Sequence, residues 1–549
     1  MGPVRRRRGG GGARADLLSA QRAVALLRWL PPAAALFYVI VLARRLGSVV
    51  DQLTWNADYV SVMALGQSVA TSGKAGRAVI IQIGYYWFDL ATQRLPYHRV
   101  IWDFGPYLMA LLALGLIGWA AWRLGGRFAG LLAASIGLAA SPLVLSTQAA
   151  QSFHGTTWFG DALLAAYLCW LLGAQRSRAA TVIVSGLVAT AAGLATATDP
   201  LLLPAGDAPF AAALALTMWA RPAQLGRPRL VAAGATLGGT GLVAGALSIG
   251  DRLADYGSSF PRGLTHLVTP EHFAGNLRQL ATGIFEVAGM PRSGDGVLGY
   301  LLGASLLAGI LLPMVWLISS LRSEKMPAAT VAVLGFWSAS ALLVAAAFLF
   351  SDIPSDFLQN SARYLVPMFY VAVATAPLWA ASSERRAALV ALPASLLIVA
   401  NGAAVDRVAG ARGFEPSFSP GLAGPIAFLE QRGLTRGYAA YDEASPISYR
   451  SDFALHVYPV IEQPPTSEDV CGTAICPFAY NSISDWYQGH TGPTFILIDT
   501  ALSRMNHPPP ADLDTPIATY KVGRFLIYVY ADDVAAHMGV PPRFTRPLL

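Results

Sequence analysis

Residues 297–319 read VLGYLLGASLLAGILLPMVWLIS, an apolar run without a charged side chain. A helix rises about 1.5 Å per residue, and the hydrocarbon core of a bilayer is about 30 Å thick, so about 20 apolar residues suffice to cross it. This run is therefore long enough to span a membrane as one helix.

Similar runs recur along most of the chain. Of its 549 residues, 54% are hydrophobic and 13% are charged, whereas roughly 25% are charged in an ordinary soluble protein. Runs of this kind lie at 29–46, 105–122, 128–146, 158–174, 180–197, 207–220, 230–249, 297–319, 328–350, 363–381 and 387–403. The sequence thus predicts a polytopic α-helical membrane protein with about eleven transmembrane helices.

The loops between these runs form two alternating sets. One set carries clustered basic residues: the N-terminal arginines, Arg123 with Arg127, Arg176 with Arg178, Arg221 with Arg227 and Arg229, Arg322 with Lys325, and Arg385 with Arg386. Because short loops rich in Lys and Arg stay in the cytoplasm, we expect a cytoplasmic N-terminus and an extracytoplasmic C-terminus. Arg44 and Arg45, at the outer end of the first run, are an exception.

The chain beyond the last run changes character. Short β-branched and aromatic runs at 437–441, 454–460, 494–499 and 524–530 predict strands, and 421–433 and 443–450 fit helices. The resulting division is a basic disordered cytoplasmic tail at 1–28, a multi-span domain at 29–403 with large outer loops 47–104 and 250–296, a linker at 404–420 and an extracytoplasmic α/β domain at 421–549. We interpret the first run as a retained span, because no convincing cleavage site follows it.

Two of the three cysteines, Cys471 and Cys476, fall in this outer domain. An oxidising compartment favours a disulfide between them, and two free thiols are the alternative. A zinc site is not indicated, because no further His or Cys recurs at ligand spacing.

The first outer loop carries the most informative polar residues. It reads Asp51-Gln-Leu-Thr-Trp-Asn-Ala-Asp58-Tyr59 and continues into an apolar-periodic segment, 60–70, that predicts a helix lying along the membrane. This arrangement holds the Asp58 carboxylate near the outer surface. An alternative interpretation is that Asp58 only caps the following helix.

A second motif, Arg363-Tyr364-Leu365-Val366-Pro367, opens a late span. With an acidic residue in the first outer loop, many spans and a terminal outer α/β domain, the chain resembles the GT-C superfamily of membrane glycosyltransferases, in an actinobacterial-type form. The resemblance implies a polyprenyl-phosphate-linked sugar donor and an extracytoplasmic glycan, lipid or protein acceptor. It assigns Asp58 to the catalytic position, and Arg363 with Tyr364 to the donor phosphate.

Elementary chemistry gives these roles a rationale. Transfer to a hydroxyl needs a base for its proton, typically worth about 10²–10⁴-fold, and Asp58 fits that role. The departing phosphate needs a cation, and the planar fork of Arg363 suits it; the alternative is that Arg363 merely snorkels at the interface. Because Asp58 stands without an adjacent acidic partner, a bound divalent metal is doubtful, and no cofactor is assigned.

Further polar residues on the same predicted side are secondary candidates, each more often structural when considered alone. They are Asp51, His98, Arg99, Asp103, His154, Asp161 and Asp199. Asp161 stands out because it interrupts an apolar run, where a carboxyl group is costly.

The sequence therefore favours an inverting glycosyltransferase in the cell membrane. A lipid or small-molecule transporter or flippase with an outer receptor domain is the alternative, although the internal repeat common in transporters is not evident. A non-catalytic envelope scaffold is a third reading. Nucleic-acid binding is not indicated, and no Gly-rich phosphate loop implies a nucleotide cofactor.

Overall fold

The structure, a computed structural model, covers most of the chain. The residues it describes are 26–73, 76–80, 83–150, 154–258, 268, 270–289, 296–352, 354, 361–414, 421–462, 470–501, 505 and 513–545. Most of the predicted tail, parts of the 250–296 loop and the end of the predicted linker lie outside them.

Eight helices in the described chain are long and apolar enough to cross a membrane. They are Leu30–Leu53, His98–Leu138, Arg178–Thr198, Arg227–Leu253, Val297–Ser320, Ala328–Phe350, Ser361–Ala381 and Glu384–Gly410. The predicted fold class, a polytopic helical membrane protein with a C-terminal α/β domain, is confirmed.

Each of the roughly eleven predicted spans falls on helix, but the division differs. His98–Leu138 carries two of them, 105–122 and most of 128–146, across a kink at Gly126, whose φ of 79° favours glycine. Two others are the Asp161-containing helix Gly155–Gly173 and the short helix Ala208–Ala220. The first of these two helices is more polar than the eight long helices, and the second is shorter than they are.

The other helical segments are short or lie at the ends of the bundle. They are Ala57–Ser72, Ile83–Thr92, Pro142–Ala149, the π-helical turn Leu203–Asp207, Pro270–Val287, Ala423–Arg432, Tyr441–Arg450 and Pro542–Thr545, with 3-10 turns at Pro222–Gln224, Ser361–Leu365, Ser484–Tyr487 and Val534–His537.

The bundle core is built around the Ser361–Ala381 segment, which is nearly fully buried. Its Tyr370 stacks on Trp158 at a centroid distance of 5.7 Å. Small residues allow close approach elsewhere: a Cβ added at Gly193 would lie 2.8 Å from the carbonyl oxygen of Thr240. Such contacts are how helices associate in lipid, where apolar burial alone gives little preference.

Loops predicted to share one side contact one another. The Tyr85 hydroxyl accepts the backbone N–H of Thr156 at 2.9 Å, joining two predicted outer loops. Asn276 donates to the Ser351 carbonyl at 2.9 Å and joins two more. These contacts gather the predicted outer loops at one end of the bundle.

The predicted cytoplasmic loops meet in the same way. Arg221 donates to the carbonyls of Leu321 and Met326 at 2.9 and 2.8 Å. The exceptional Arg45 has a simple explanation, since it pairs with Asp406 of the last span at 2.6 Å. Its charge is therefore balanced locally.

The C-terminal domain contains a six-stranded mixed sheet. In spatial order its strands are Cys476–Pro477, His456–Ile461, Arg436–Ala439, Thr494–Asp499, Phe525–Tyr530 and Ala518–Val522. Arg436–Ala439 pairs in parallel with both of its neighbours, and the remaining pairs are antiparallel. The edge strand Ala518–Val522 was not predicted, because its half-exposed, partly polar residues lack a strong apolar signal.

A second, three-stranded sheet joins the C-terminal domain to the bundle. Ala78–Ile80 of the first outer loop pairs in parallel with Tyr256–Ser258 and antiparallel with Ser482–Ile483 of the C-terminal domain. Backbone hydrogen bonding thus connects two outer loops and the α/β domain into one structure.

A candidate active site between the bundle and the outer domain

Asp58 lies in the first turn of the Ala57–Ser72 helix. The cap of this helix is Asn56, whose side chain accepts the backbone N–H of Asp58 at 2.8 Å. Capping is therefore done by Asn56 and not by Asp58, and the alternative reading of Asp58 as the cap is wrong. A carboxylate in a first turn is also favoured by the positive end of the helix dipole.

Arg363 meets Asp58 at the start of the buried Ser361–Ala381 segment. Its Nη1 lies 3.5 Å from Asp58 Oδ2, and the two side chains are 16% and 31% exposed. Its Nη2 donates to the Tyr364 hydroxyl at 3.4 Å, and the guanidinium carbon lies 5.3 Å from the centre of the Tyr364 ring. An arginine held between a carboxylate and a ring is fixed in position, which simple snorkelling would not require.

The C-terminal domain supplies a third contact to the same carboxylate. The hydroxyl of Tyr441, the first residue of the Tyr441–Arg450 helix, donates to Asp58 Oδ1 at 3.1 Å. Burial, and then the charge of Asp58, hold the pKa of Tyr441 well above its usual value. Tyr441 therefore keeps its proton and donates it in the hydrogen bond to Asp58 Oδ1.

Aromatic rings of the C-terminal domain border this contact. The ring centre of Tyr441 lies 5.4 Å from that of Phe478 and 5.2 Å from that of Tyr480. The Phe478 and Tyr480 rings stack with their centres 5.5 Å apart. All three rings are half-buried, and burial raises the pKa of Tyr480 above its usual value. Aromatic faces with fixed polar groups suit a ligand that has both apolar and hydroxyl-bearing surfaces.

His154 and Asp199 form a second polar pair beside Tyr364. The His154 Nδ1 lies 2.6 Å from Asp199 Oδ2, and the His154 ring centre is 5.3 Å from that of Tyr364. Burial alone would raise the pKa of Asp199, but the His154 charge and hydrogen bonds outweigh burial and lower it. The pair thus reaches Arg363 through one tyrosine ring.

Three other candidates bind the Tyr441–Arg450 helix and its C-terminal flank instead. Asp51 pairs with Arg450 at 2.8 Å, Asp103 accepts the Tyr449 hydroxyl at 2.6 Å, and Arg99 pairs with Asp452 just beyond the helix. We therefore identify Asp51, Arg99 and Asp103 as interface residues that hold the outer domain against the first loop.

The two remaining candidates, His98 and Asp161, belong to other helices than Asp58. His98 is the first residue of the His98–Leu138 helix, seven positions before the predicted start of that span at 105. Asp161 is 1% exposed, and neither carboxylate oxygen has a hydrogen-bond partner among the described residues. A Cβ at Gly206 would lie 2.6 Å from Asp161 Oδ1, so glycine leaves room for the carboxyl group.

The described cysteines form one disulfide and one free thiol. Cys471 and Cys476 are joined by a disulfide, and Cys169 is a buried thiol. Within the described part of the chain, no three His, Cys, Asp or Glu side chains are grouped so as to hold a metal ion. Arg363 supplies a positive charge next to Asp58.

The residues that the C-terminal domain brings to Asp58 were not predicted from the sequence. Tyr441 lies just after a strand, in an aromatic run that indicated only β-structure. Tyr480 and Asn481 follow the short strand Cys476–Pro477 and belong to no recognisable motif. No local pattern links these positions to Asp58, because their contacts join distant parts of the chain.

Fold and site together describe a polytopic membrane protein in which Asp58 contacts polar side chains of both the helical bundle and the C-terminal α/β domain. No family model matches this sequence, and no curated protein matches it. Among solved structures, the chain is similar to ArnT from Cupriavidus metallidurans in the apo state, with 16% identity and a TM-score of 0.44 over 92% of this chain and 99% of that chain. It is also similar to the same protein bound to undecaprenyl phosphate, with 14% identity and a TM-score of 0.42 over 89% and 97%.

Proposed function

We propose that the protein is an inverting membrane glycosyltransferase of the GT-C type. It transfers a sugar from a polyprenyl-phosphate carrier to an extracytoplasmic acceptor, which is a cell-envelope glycan, a glycolipid or a protein. Asp58 is the general base, and Arg363 with Tyr364 holds the lipid phosphate. The protein lies in the cell membrane with its N-terminus in the cytoplasm and the α/β domain outside.

The observation that carries this proposal is the contact between Asp58 and Arg363. Their side chains, far apart in sequence, approach to 3.5 Å where the bundle meets the outer domain. A proton acceptor and a phosphate-binding cation are the two groups that this chemistry needs within one cleft.

The chemical step is a single displacement at the anomeric carbon. The acceptor oxygen forms a bond to that carbon while the bond between the carbon and the phosphate oxygen breaks, which inverts the configuration. The acceptor proton passes to Asp58, and the electron pair of the broken bond stays on the lipid phosphate beside Arg363. This displacement needs no nucleotide or redox cofactor.

The ion pair between Asp58 and Arg363 also sets the order in which the donor binds and the base becomes free. A donor phosphate competes with Asp58 for the Arg363 guanidinium, whose five donors can serve more than one acceptor. Once the phosphate takes part of that guanidinium, the carboxylate is released to accept the proton of the acceptor hydroxyl. Donor binding thereby prepares the base.

A transfer assay on detergent-solubilised protein tests the proposal, because transport has no meaning without a sealed membrane. Labelled polyprenyl-phosphate arabinose and mannose would be offered with lipid and glycan extracts of the source membrane as acceptors. We expect labelled product from the wild type and a fall of about 10²–10⁴-fold in kcat for Asp58→Asn.

The matched control is Asp452→Asn, which removes a carboxylate that is 83% exposed in its pair with Arg99. Exposed pairs of this kind contribute little, so this variant should transfer sugar like the wild type. The proposal fails if no donor yields product, or if Asp58→Asn keeps full activity.

A further inference from the structure

The C-terminal domain contacts the candidate base through the side chain of Tyr441, and further hydrogen bonds lie behind this contact. Tyr441 donates to Asp58 Oδ1 at 3.1 Å and lies 3.1 Å from Ser61 Oγ. Asn481 donates from Nδ2 to Ser61 Oγ at 2.7 Å. Two of the four residues, Tyr441 and Asn481, belong to the C-terminal domain.

We propose that Tyr441 is a positioning residue for Asp58. The C-terminal domain thereby completes the active site of the transferase, in addition to any surface that it offers to the acceptor. This inference rests on the proposed function of Asp58. It adds a residue and a domain to that site without changing the reaction.

The direction of the hydrogen bonds follows from the protons available. A hydroxyl group has one proton, and Tyr441 uses its proton on Asp58. Ser61 must therefore donate to the Tyr441 oxygen, and it accepts in turn from Asn481. The relay runs in one direction, from Asn481 through Ser61 and Tyr441 to the carboxylate, and hydrogen bonds in such a series strengthen one another.

The relay is held at both ends by well-packed elements. Asp58 and Ser61 are three residues apart on the Ala57–Ser72 helix, and positions at this spacing lie on the same face. Ser61 and Asn481 are almost fully buried. Asn481 directly precedes the Ser482–Ile483 strand, which pairs with Ala78–Ile80 of the first outer loop.

Each carboxylate oxygen of Asp58 is therefore held in place by a neighbouring side chain. Arg363 contacts Oδ2, and Tyr441 donates to Oδ1. When the phosphate competes for Arg363, Tyr441 still fixes the plane of the carboxylate. A general base must be held within hydrogen-bond reach of the proton it takes, and this second contact supplies that restraint.

Tyr441→Phe tests the role, since it removes the hydroxyl and keeps the ring against Phe478 and Tyr480. We expect kcat to fall about 10- to 100-fold, because hydrogen bonds to charged groups are strong, with little change in the KM for the donor. Loss of a donor that favours the ionised carboxylate should also move the acidic limb of the pH–rate profile to higher pH by about one unit.

Tyr449→Phe is the matched control, because Tyr449 lies on the same helix and its hydroxyl binds Asp103 at 2.6 Å. It should lower thermal stability at most and leave the pH–rate profile unchanged. Ser61→Ala removes the next link of the relay and should shift the profile in the same direction by less. It keeps the test decisive if Tyr441→Phe fails to fold.

The outcomes separate this inference from the proposed function. An active wild type, an inactive Asp58→Asn and a Tyr441→Phe variant with unchanged kcat and pH profile would overturn the role of Tyr441 alone. An equal loss in Tyr441→Phe and Tyr449→Phe without a pH shift would also overturn it, because that pattern is structural. Failure of the wild type to transfer sugar would refute the proposed function itself.

Discussion

Asp58 contacts side chains from two separate parts of the chain, and its ion pair with Arg363 distinguishes it from Asp51 and Asp103 of the same loop. Arg363 comes from a late span and Tyr441 from the outer domain. Asp51 and Asp103 also have partners, Arg450 and Tyr449. Those partners serve an interface, whereas Asp58 faces a cation suited to phosphate.

Arg363→Lys keeps the positive charge and removes the planar fork. Lysine offers a point charge, so it cannot serve the phosphate and Asp58 with the same geometry. We expect the KM for the donor to rise about tenfold and kcat to fall about 10²-fold, with a larger loss for Arg363→Ala. Steady-state kinetics over a range of donor concentrations measures both.

Arg386→Lys controls for this change, because Arg386 lies over Trp316 and Trp379 at the opposite end of the bundle. Arg386→Lys should leave kcat and the KM for the donor unchanged. A wild-type donor KM in Arg363→Ala would contradict the assignment of Arg363 to the phosphate.

At the scale of elements, the Ala57–Ser72 helix is held on two sides. The Tyr441–Arg450 helix covers one side through the polar contacts described above. The Ile83–Thr92 helix packs closely against the other: a Cβ at Gly66 would lie 1.9 Å from Asp89 Oδ2. A glycine is therefore required where the two helices meet, and the helix that carries Asp58 has little freedom to shift.

Asp89 makes this packing sensitive to pH. It is fully buried, and burial raises its pKa to about 7, although a hydrogen bond from Gln93 partly opposes the shift. The folded state thus binds the proton more tightly than the unfolded state. Between about pH 4 and pH 7 the free energy of unfolding should fall as pH rises, by up to about 1.4 kcal/mol per unit.

Asp89→Asn removes this titration, so thermal unfolding of the variant should depend less on pH than that of the wild type. The difference in Tm between variant and wild type should grow from pH 4.5 to pH 7 and then level off. Asp452→Asn, which alters an exposed carboxyl group, should follow the wild type. Parallel curves for Asp89→Asn and the wild type would refute the role of Asp89.

At the scale of the whole molecule, the loops sort to two ends of the bundle. One end, which is predicted to be the outer one, collects Asp58, Arg363 and the α/β domain, and the other end collects the basic loops. The positive-inside rule then predicts which end faces the cytoplasm. The three-stranded sheet makes the outer domain part of the outer end, because its strand Ser482–Ile483 completes backbone pairing of the first loop.

Cysteine labelling in intact cells tests this orientation. Gln488→Cys in the α/β domain should react with a membrane-impermeant maleimide, whereas Glu324→Cys in a basic loop should react only after permeabilisation; both positions are exposed. The native background should be low, because Cys169 is buried and Cys471 is bonded to Cys476. Labelling of Glu324→Cys in intact cells would reverse the predicted topology.

Local sequence was sufficient for the features that depend on composition and periodicity. The apolar runs predicted where helix lies, and strand patterns predicted Thr494–Asp499 and its neighbours, because burial in lipid or in a sheet selects side chains locally. Composition could not predict that one helix would carry two spans across Gly126, since that depends on a single backbone conformation. Asp58 and Arg363 were predicted as site residues from their motifs, but neither motif indicates how close the two side chains lie.

Only the tertiary structure decided how the candidate residues are grouped. In the sequence, Asp51, Arg99 and Asp103 resemble Asp58 as polar residues of one predicted outer loop. In the structure Asp58 also meets Arg363 of a late span, whereas the other three bind Arg450, Asp452 and Tyr449 of the C-terminal domain. Tyr441 carried no chemical signal at all, and it contacts the candidate base. The physical reason is that a hydrogen bond or ion pair acts over a few ångströms, so its partners are selected by the packing of distant segments and leave no periodicity in either one.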